Sequence, residues 1–128
     1  MRASGEDPPV VLLVDDNKDI LEGYAEILRG DGFTPITASG GADALELAFR
    51  MRPDVIVIDM WMPELDGFQT TRALRADERT RDTPIIGFTS LGYSKRKAEE
   101  AGCNALLRKS VPPEELVATV WKFVPPRE

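Results

Sequence analysis

Short segments rich in apolar and β-branched residues alternate along this chain with longer segments whose apolar residues recur every three or four positions. Val10 to Val14 is a continuous apolar run that stops at two aspartates, the pattern of a parallel strand buried on both faces. From Lys18 to Arg29 the residues Ile20, Leu21, Tyr24, Ile27 and Leu28 fall at helical spacing, with Asn17 or Asp19 available as N-cap and Gly30 and Gly32 beyond the end. Phe33 to Ala38 reads as a second strand, and Pro35, which cannot donate to a ladder, puts it at the sheet edge. A helix over Gly41 to Met51, closed by Pro53, leads into Asp54 to Asp59, the segment DVIVID and the candidate central strand. Asp66 to Ala76 suits a third helix, and Glu78 to Thr83 is a charged connection that ends at Pro84. Ile85 to Phe88 makes a fourth strand ending in Thr89 and Ser90. A short helix over Ser94 to Ala101 stops at Gly102, and Asn104 to Arg108 offers a fifth strand ending at Lys109. Pro113 opens the last helix, where proline is tolerated, and the pattern continues to Phe123.

Five alternations of strand and helix predict an α/β fold, a parallel sheet with helices on both faces. With 128 residues, 42% of them hydrophobic, the chain can bury one substantial core and has no room for a second. The expected division is a domain over residues 10–124 between tails at 1–9 and 125–128. Neither repeats nor low-complexity segments interrupt it.

Charge and composition narrow the chemistry. A formal net charge of −6 without a basic stripe argues against nucleic-acid binding through this chain. Histidine is absent, which removes Ser-His-Asp and Cys-His arrangements and imidazole metal sites together. Cys103 is the only cysteine, so no internal disulfide can form, and it reads as a buried, inert thiol in a reducing compartment. Residues 1–9 lack the apolar run of a signal peptide, and no stretch is long enough to span a bilayer. The expectation is a cytoplasmic protein without membrane contact.

In an open α/β sheet, ligands bind outside the carboxyl ends of the strands. The residues there are Asp15, Asp16, Asp59, Thr89 and Lys109. Singly they are ordinary, since an Asp-Asp pair can open a loop and cap a helix, and an isolated lysine or threonine is commonly solvated. Jointly they point elsewhere. Three carboxylates together repel one another unless a cation sits among them or some stay protonated, and an oxygen-only set suits Mg²⁺ better than zinc or copper. Phosphoryl transfer needs positioning and positive charge around the equatorial oxygens, which metal, Lys109 and Thr89 would supply. Asp59, on the central strand, is the favoured nucleophile for an acyl phosphate.

The segments LLVDDN at Leu12 to Asn17, DVIVIDMWMPELDG at Asp54 to Gly67, PIIGFTS at Pro84 to Ser90, and the lysine after strand five together resemble the receiver domains of two-component response regulators. The likeness covers almost the whole chain, and four segments in this order and spacing are highly specific. It implies a flavodoxin-like (βα)5 three-layer sandwich with strand order 2-1-3-4-5. Carried over residue by residue, it makes Asp59 the phosphoacceptor and Asp16 a direct Mg²⁺ ligand, with Asp15 acting largely through water. The Trp61 backbone carbonyl would also reach the metal, Lys109 would pair with the phosphoryl group, and Thr89 would hydrogen-bond it beside the Ser90 N–H. Pro63 and Gly67 match the turn after the phosphoacceptor strand. The implied donor is a sensor histidine kinase or phosphotransfer protein, and the recipient a downstream output protein or a second copy. Such a domain is not an enzyme beyond its own phosphorylation and dephosphorylation, and no output domain is expected in this chain.

The match departs in places. Leu106 stands where the family commonly has an aromatic residue, which puts the usual output coupling in doubt. Ser110 replaces a proline, and a cis bond before serine would cost about 2.5–4 kcal/mol. Trp61 is expected near the site mouth, where an indole could slow access, cover apolar surface or bind a partner. The stretch from Thr89 to Lys109, with Gly92 inside it, is short for the family, so an abbreviated or mobile fourth helix is expected. On the last helix Leu116, Val120 and Val124 should be core, leaving Trp121 or Phe123 partly outside, and an exposed aromatic beside the fourth helix would suit a partner surface. Two other readings compete: a pseudo-receiver that signals without phosphorylation, to which Leu106 and Ser110 lend weight, and a metal-dependent phosphatase, weakened by the lack of a second acid or base close after Asp59.

Overall fold

The computed structural model describes residues 7–90 and 95–126. Ten elements follow in order: β1 (Val10–Val14), α1 (Lys18–Gly30), β2 (Thr34–Ala38), α2 (Gly41–Met51), β3 (Val55–Asp59), α3 (Gly67–Ala76), β4 (Ile85–Thr89), α4 (Lys95–Ala101), β5 (Ala105–Arg108) and α5 (Pro113–Phe123). The strands form one sheet in the order β2-β1-β3-β4-β5, and each neighbouring pair is parallel. The flavodoxin-like order and the central place of β3 are therefore as expected.

Side chains alternate across the sheet, and this splits the core into two layers. Leu12, Val14, Ile56, Ile58 and Ile85 face α2, α3 and α4, where they meet Ala44, Ala48, Phe68, Leu74, Ala98 and Ala101. Val11, Leu13, Val55, Val57, Ile86 and Phe88 face α1 and α5, against Leu21, Ala25, Leu28, Leu116 and Val120. Every residue of β3 and β4 is buried, which is why those strands read as unbroken apolar runs. Pro35 lies on the edge strand β2. The Thr34 N–H bonds to the Pro9 carbonyl at 2.8 Å, so the next nitrogen along points away from β1 and its missing proton costs no ladder bond.

Element boundaries shift by a residue where a side chain takes over a backbone role. Asp54 precedes β3 because its carboxylate accepts the Val10 N–H at 2.8 Å. Asp66 is the N-cap of α3 and forms a capping box with Gln69. Asn104 stays outside β5 because its Oδ1 accepts the Ile85 N–H and an Arg75 N–H, both at 2.8 Å. Of the two candidate caps of α1, Asn17 is the one used, and Gly30 falls inside the last turn instead of beyond it. Among the described residues helix α4 covers the 7 residues Lys95–Ala101; its expected start at Ser94, and Gly92 before it, lie outside them.

The exposed aromatic of α5 is not where the sequence suggested. Trp121 lies against Phe33, ring centroids 4.3 Å apart, at the junction of α1 and β2. Phe33 belongs to the layer that α1 and α5 share, whereas α4 covers the other face of the sheet, so Trp121 is directed toward α1 and not toward α4. Leu116 and Val120 are buried as expected, whereas Val124 is a half-buried C-cap.

Candidate functional site

The carboxyl end of β1 runs straight into the site. Asp15 extends the β1–β2 ladder by one bond, N–H to the Ala38 carbonyl at 3.2 Å, and is 4% exposed. Its Oδ1 accepts the Asn17 N–H at 2.9 Å, while Asn17 Oδ1 accepts the N–H groups of Asp19 and Ile20 and starts α1. Asp16, between them, is exposed. Thus one Asp-Asp-Asn run divides its work: Asp15 is buried, Asp16 stays exposed, and Asn17 caps.

Asp59 ends β3 and is 5% exposed. Its Oδ1 accepts the Trp61 N–H at 3.1 Å. The loop that follows folds back tightly: Met60 N–H bonds to the Phe88 carbonyl and Gly67 N–H to the Met60 carbonyl. A Cβ at Gly67 would collide with the Asp59 carbonyl oxygen and Met60 Cα, so only glycine lets α3 begin this close to the acid.

Thr89 ends β4, buried, and its carbonyl accepts the Lys109 N–H at 2.7 Å. That bond fixes the Lys109 backbone next to β4. The side chain crosses to β1 and β3, with Nζ 2.6 Å from Asp15 Oδ2 and 3.4 Å from Asp59 Oδ2. Oxygens of Asp15, Asp16 and Asp59 all lie within 4.8 Å of one another. This donor set is oxygen-only and clustered, which fits a hard cation such as Mg²⁺.

Electrostatics follow from burial. Desolvation raises the Asp59 pKa above its ordinary value; the Trp61 N–H opposes this, the Asp15 charge adds to it, and Lys109 pulls it back. For Lys109, burial lowers the pKa, but the Asp15 hydrogen bond and the Asp59 charge outweigh it and the net shift is upward. The ammonium therefore stays charged at neutral pH.

Around the mouth, Trp61 is 46% exposed and meets the buried Phe68 ring edge-on at 6.3 Å. Lys97 of α4 holds its Nζ 4.9 Å above that Phe68 ring. Leu106 is half-buried against the same core layer, and a Cβ on the neighbouring Gly87 would come within 2.9 Å of its Cδ1. Tyr24 escaped the sequence reading, in which it counted only as an apolar position of α1. Its hydroxyl donates to the Lys109 carbonyl at 3.4 Å, and its ring sits edge-on to Phe88 at 5.2 Å. Nothing local signals this contact, which depends on the end of β5 coming to rest beside α1.

Comparison with known proteins agrees with this arrangement. The family model described as response regulator receiver domain matches residues 11–121. The polar-differentiation response regulator DivK of Brucella anthropi is 27% identical over 119 residues, covering 91% of this chain and 97% of its own. The chemotaxis protein CheY4 of Vibrio cholerae superposes with a TM-score of 0.86 at 31% identity, covering 91% of this chain and 98% of its own. The receiver domain of the sensor histidine kinase PA1611 from Pseudomonas aeruginosa, solved with a magnesium ion coordinated in its active site cleft, superposes at 0.84 with 32% identity and covers 91% of this chain and 98% of its own. A family match over nearly the whole chain, on the same five-stranded order, places the protein in the response regulator receiver domain family of two-component systems.

Proposed function

We propose that this receiver domain accepts a phosphoryl group on Asp59, in a Mg²⁺-dependent reaction, from a sensor histidine kinase or phosphotransfer protein. The observation that carries the reading is the cluster of Asp15, Asp16 and Asp59 with the Lys109 ammonium among them. Trp61 N–H holds Asp59 Oδ1, which leaves Oδ2 as the attacking oxygen. As Oδ2 bonds to phosphorus, the bond from phosphorus to the donor atom breaks and its electron pair leaves with the donor. Lys109 then exchanges its carboxylate contacts for the new phosphoryl oxygens, and Thr89 hydroxyl and Ser90 N–H complete their solvation.

Asp16 would hold Mg²⁺ directly, with Asp15 acting through water and the Asp59 carboxylate and Trp61 carbonyl completing the protein ligands. When bound, the ion supplies positive charge to the transferring phosphoryl group. The signal would leave through contacts with an output protein or a second copy, in the cytoplasm, from a domain spanning residues 10–124. Among the described residues no helix is long and apolar enough to cross a membrane.

The test is intact-mass spectrometry after incubation with acetyl phosphate and Mg²⁺. One acid-labile phosphoryl group should be gained by the wild type and none by Asp59→Asn. A wild type that gains no mass would overturn the reading and favour the pseudo-receiver.

A further inference from the structure

We infer that Lys97 is a specificity residue that draws in phosphodonors according to their negative charge, an inference that rests on Asp59 being the phosphoacceptor. The physical problem is the protein's own field. At a net charge of −6, with three aspartates at the site, an approaching anion meets repulsion before it meets Lys109, which is engaged by Asp15 and Asp59. A second cation at the rim would relieve this.

Lys97 has that position. Trp61, whose N–H touches the Asp59 carboxylate, meets the buried Phe68 ring edge-on, and the Lys97 ammonium lies 4.9 Å over the Phe68 ring. Phe68 itself follows Gly67, which packs directly on the Asp59 backbone. Lysine normally swings freely in solvent, but an ammonium over an aromatic face is held in place. Among its neighbours on α4, Arg96 is committed to Glu100, one turn on, at 3.1 Å. The ammonium of Lys97 is held over the Phe68 ring, beside the aromatic pair that Phe68 forms with Trp61.

At low ionic strength, a unit charge about 10 Å from a dianion in water changes its encounter by at most about fourfold, and from a monoanion by at most about twofold. That difference makes donor charge the readout. Acetyl phosphate is a dianion near neutral pH, and phosphoramidate carries one net negative charge. Second-order phosphorylation rates at saturating Mg²⁺ are to be measured for wild type, Lys97→Gln, Lys97→Arg and Lys122→Gln. Lys122 lies in the last turn of α5, away from the strand ends, so its loss changes net charge equally without touching the rim.

At low ionic strength Lys97→Gln should slow acetyl phosphate by up to about fourfold and phosphoramidate by up to about twofold. Lys97→Arg should restore both rates, Lys122→Gln should alter neither, and the Lys97 effect should vanish in 1 M salt, where screening acts over about 3 Å. Unchanged rates in Lys97→Gln, an equal effect from Lys122→Gln, or the same loss with both donors would overturn the role of Lys97 while leaving Asp59 as acceptor. A wild type that takes phosphate from neither donor would instead overturn the phosphoacceptor reading beneath it.

Discussion

The Lys109 ammonium sits closer to Asp15, at 2.6 Å, than to Asp59, at 3.4 Å, so the cation of the site is engaged mainly by the carboxylate that is not the expected acceptor. This geometry leaves Asp59 undercompensated in the resting state and makes Lys109 a competitor of any metal at Asp15. Lys109→Ala should therefore bind Mg²⁺ at least as tightly as wild type, since the competing ammonium is gone, yet respond poorly to a phosphodonor. Titration followed by tryptophan fluorescence, beside intact-mass analysis of the phosphorylated fraction, separates the two effects. Weaker Mg²⁺ binding together with a normal phosphorylation response would contradict both roles. Breaking a buried pair should also lower stability, by about 2 kcal/mol once Asp59 protonation offsets part of the loss.

Asp59 itself should oppose folding at neutral pH. An acid whose folded pKa lies above its unfolded value contributes stability below the unfolded value and loses it as pH rises through the folded one. Burial, aided by the Asp15 charge, raises Asp59 above its ordinary value of 3.8 in spite of the Trp61 N–H and Lys109. In a chelator, Asp59→Asn should accordingly melt above the wild type at pH 7, and the gap should close as the pH is lowered toward 4. A variant that melts below the wild type at pH 7, by a margin that shrinks toward acid, would mean that the carboxylate stabilises the fold and that its pKa is lowered.

The fold was almost wholly legible in the sequence, because buried parallel strands and amphipathic helices carry different periods. Pro35 announced the edge, and the charged ends of β1, β3 and β5 announced where the site lies. What stayed hidden depends on contacts made across the chain. Asp15 and Asp16 are neighbours of the same type, yet only the placement of Lys109, 94 residues on, distinguishes the buried one. The position of Trp121 beside Phe33 needed the direction of α5, and the contact of Tyr24 with Lys109 needed the seating of β5 beside α1. Helical spacing gives the face of a helix but not which end of the sheet each residue reaches.

Arg75 is such a residue, and its loss should be costly although it is far from the chemistry. Its guanidinium donates to the carbonyls of Gly102, Thr80, Arg81 and Thr83 and to Asn104 Oδ1, tying the end of α3 to the 77–84 connection, the end of α4 and the start of β5. Gly102, with φ of 116°, turns its open side to the Arg75 stem, where a Cβ would come within 2.7 Å of Cγ. Arg75→Ala should lose about 2–4 kcal/mol, several acceptors being left unpaired at once. Arg75→Lys should recover only part, because an ammonium cannot reproduce the planar fork. Urea denaturation measures both; a loss below 1 kcal/mol for the alanine variant, roughly that of an ordinary surface substitution, would deny the clamp.

On the proposed phosphorylation of Asp59, Trp61 would set how long the phosphoryl group lasts. Hydrolysis of an acyl phosphate needs water to reach phosphorus in line with the Asp59 oxygen, and the indole belongs to the residue whose N–H holds that carboxylate, braced edge-on by Phe68 and still 46% exposed. A ring braced in this way hinders water without sealing the site, since its outer face is in solvent. Trp61→Ala removes the ring but keeps the N–H that holds Asp59 Oδ1, so the acceptor's geometry is preserved while the approach widens. Loss of phosphate should then quicken several-fold, with phosphorylation by small donors quickening as well. Trp61→Phe, which restores an aromatic edge toward Phe68, should lie between. Decay of the phosphorylated mass after removal of the donor gives the lifetimes directly, and equal lifetimes across the three proteins would show that the indole only covers apolar surface.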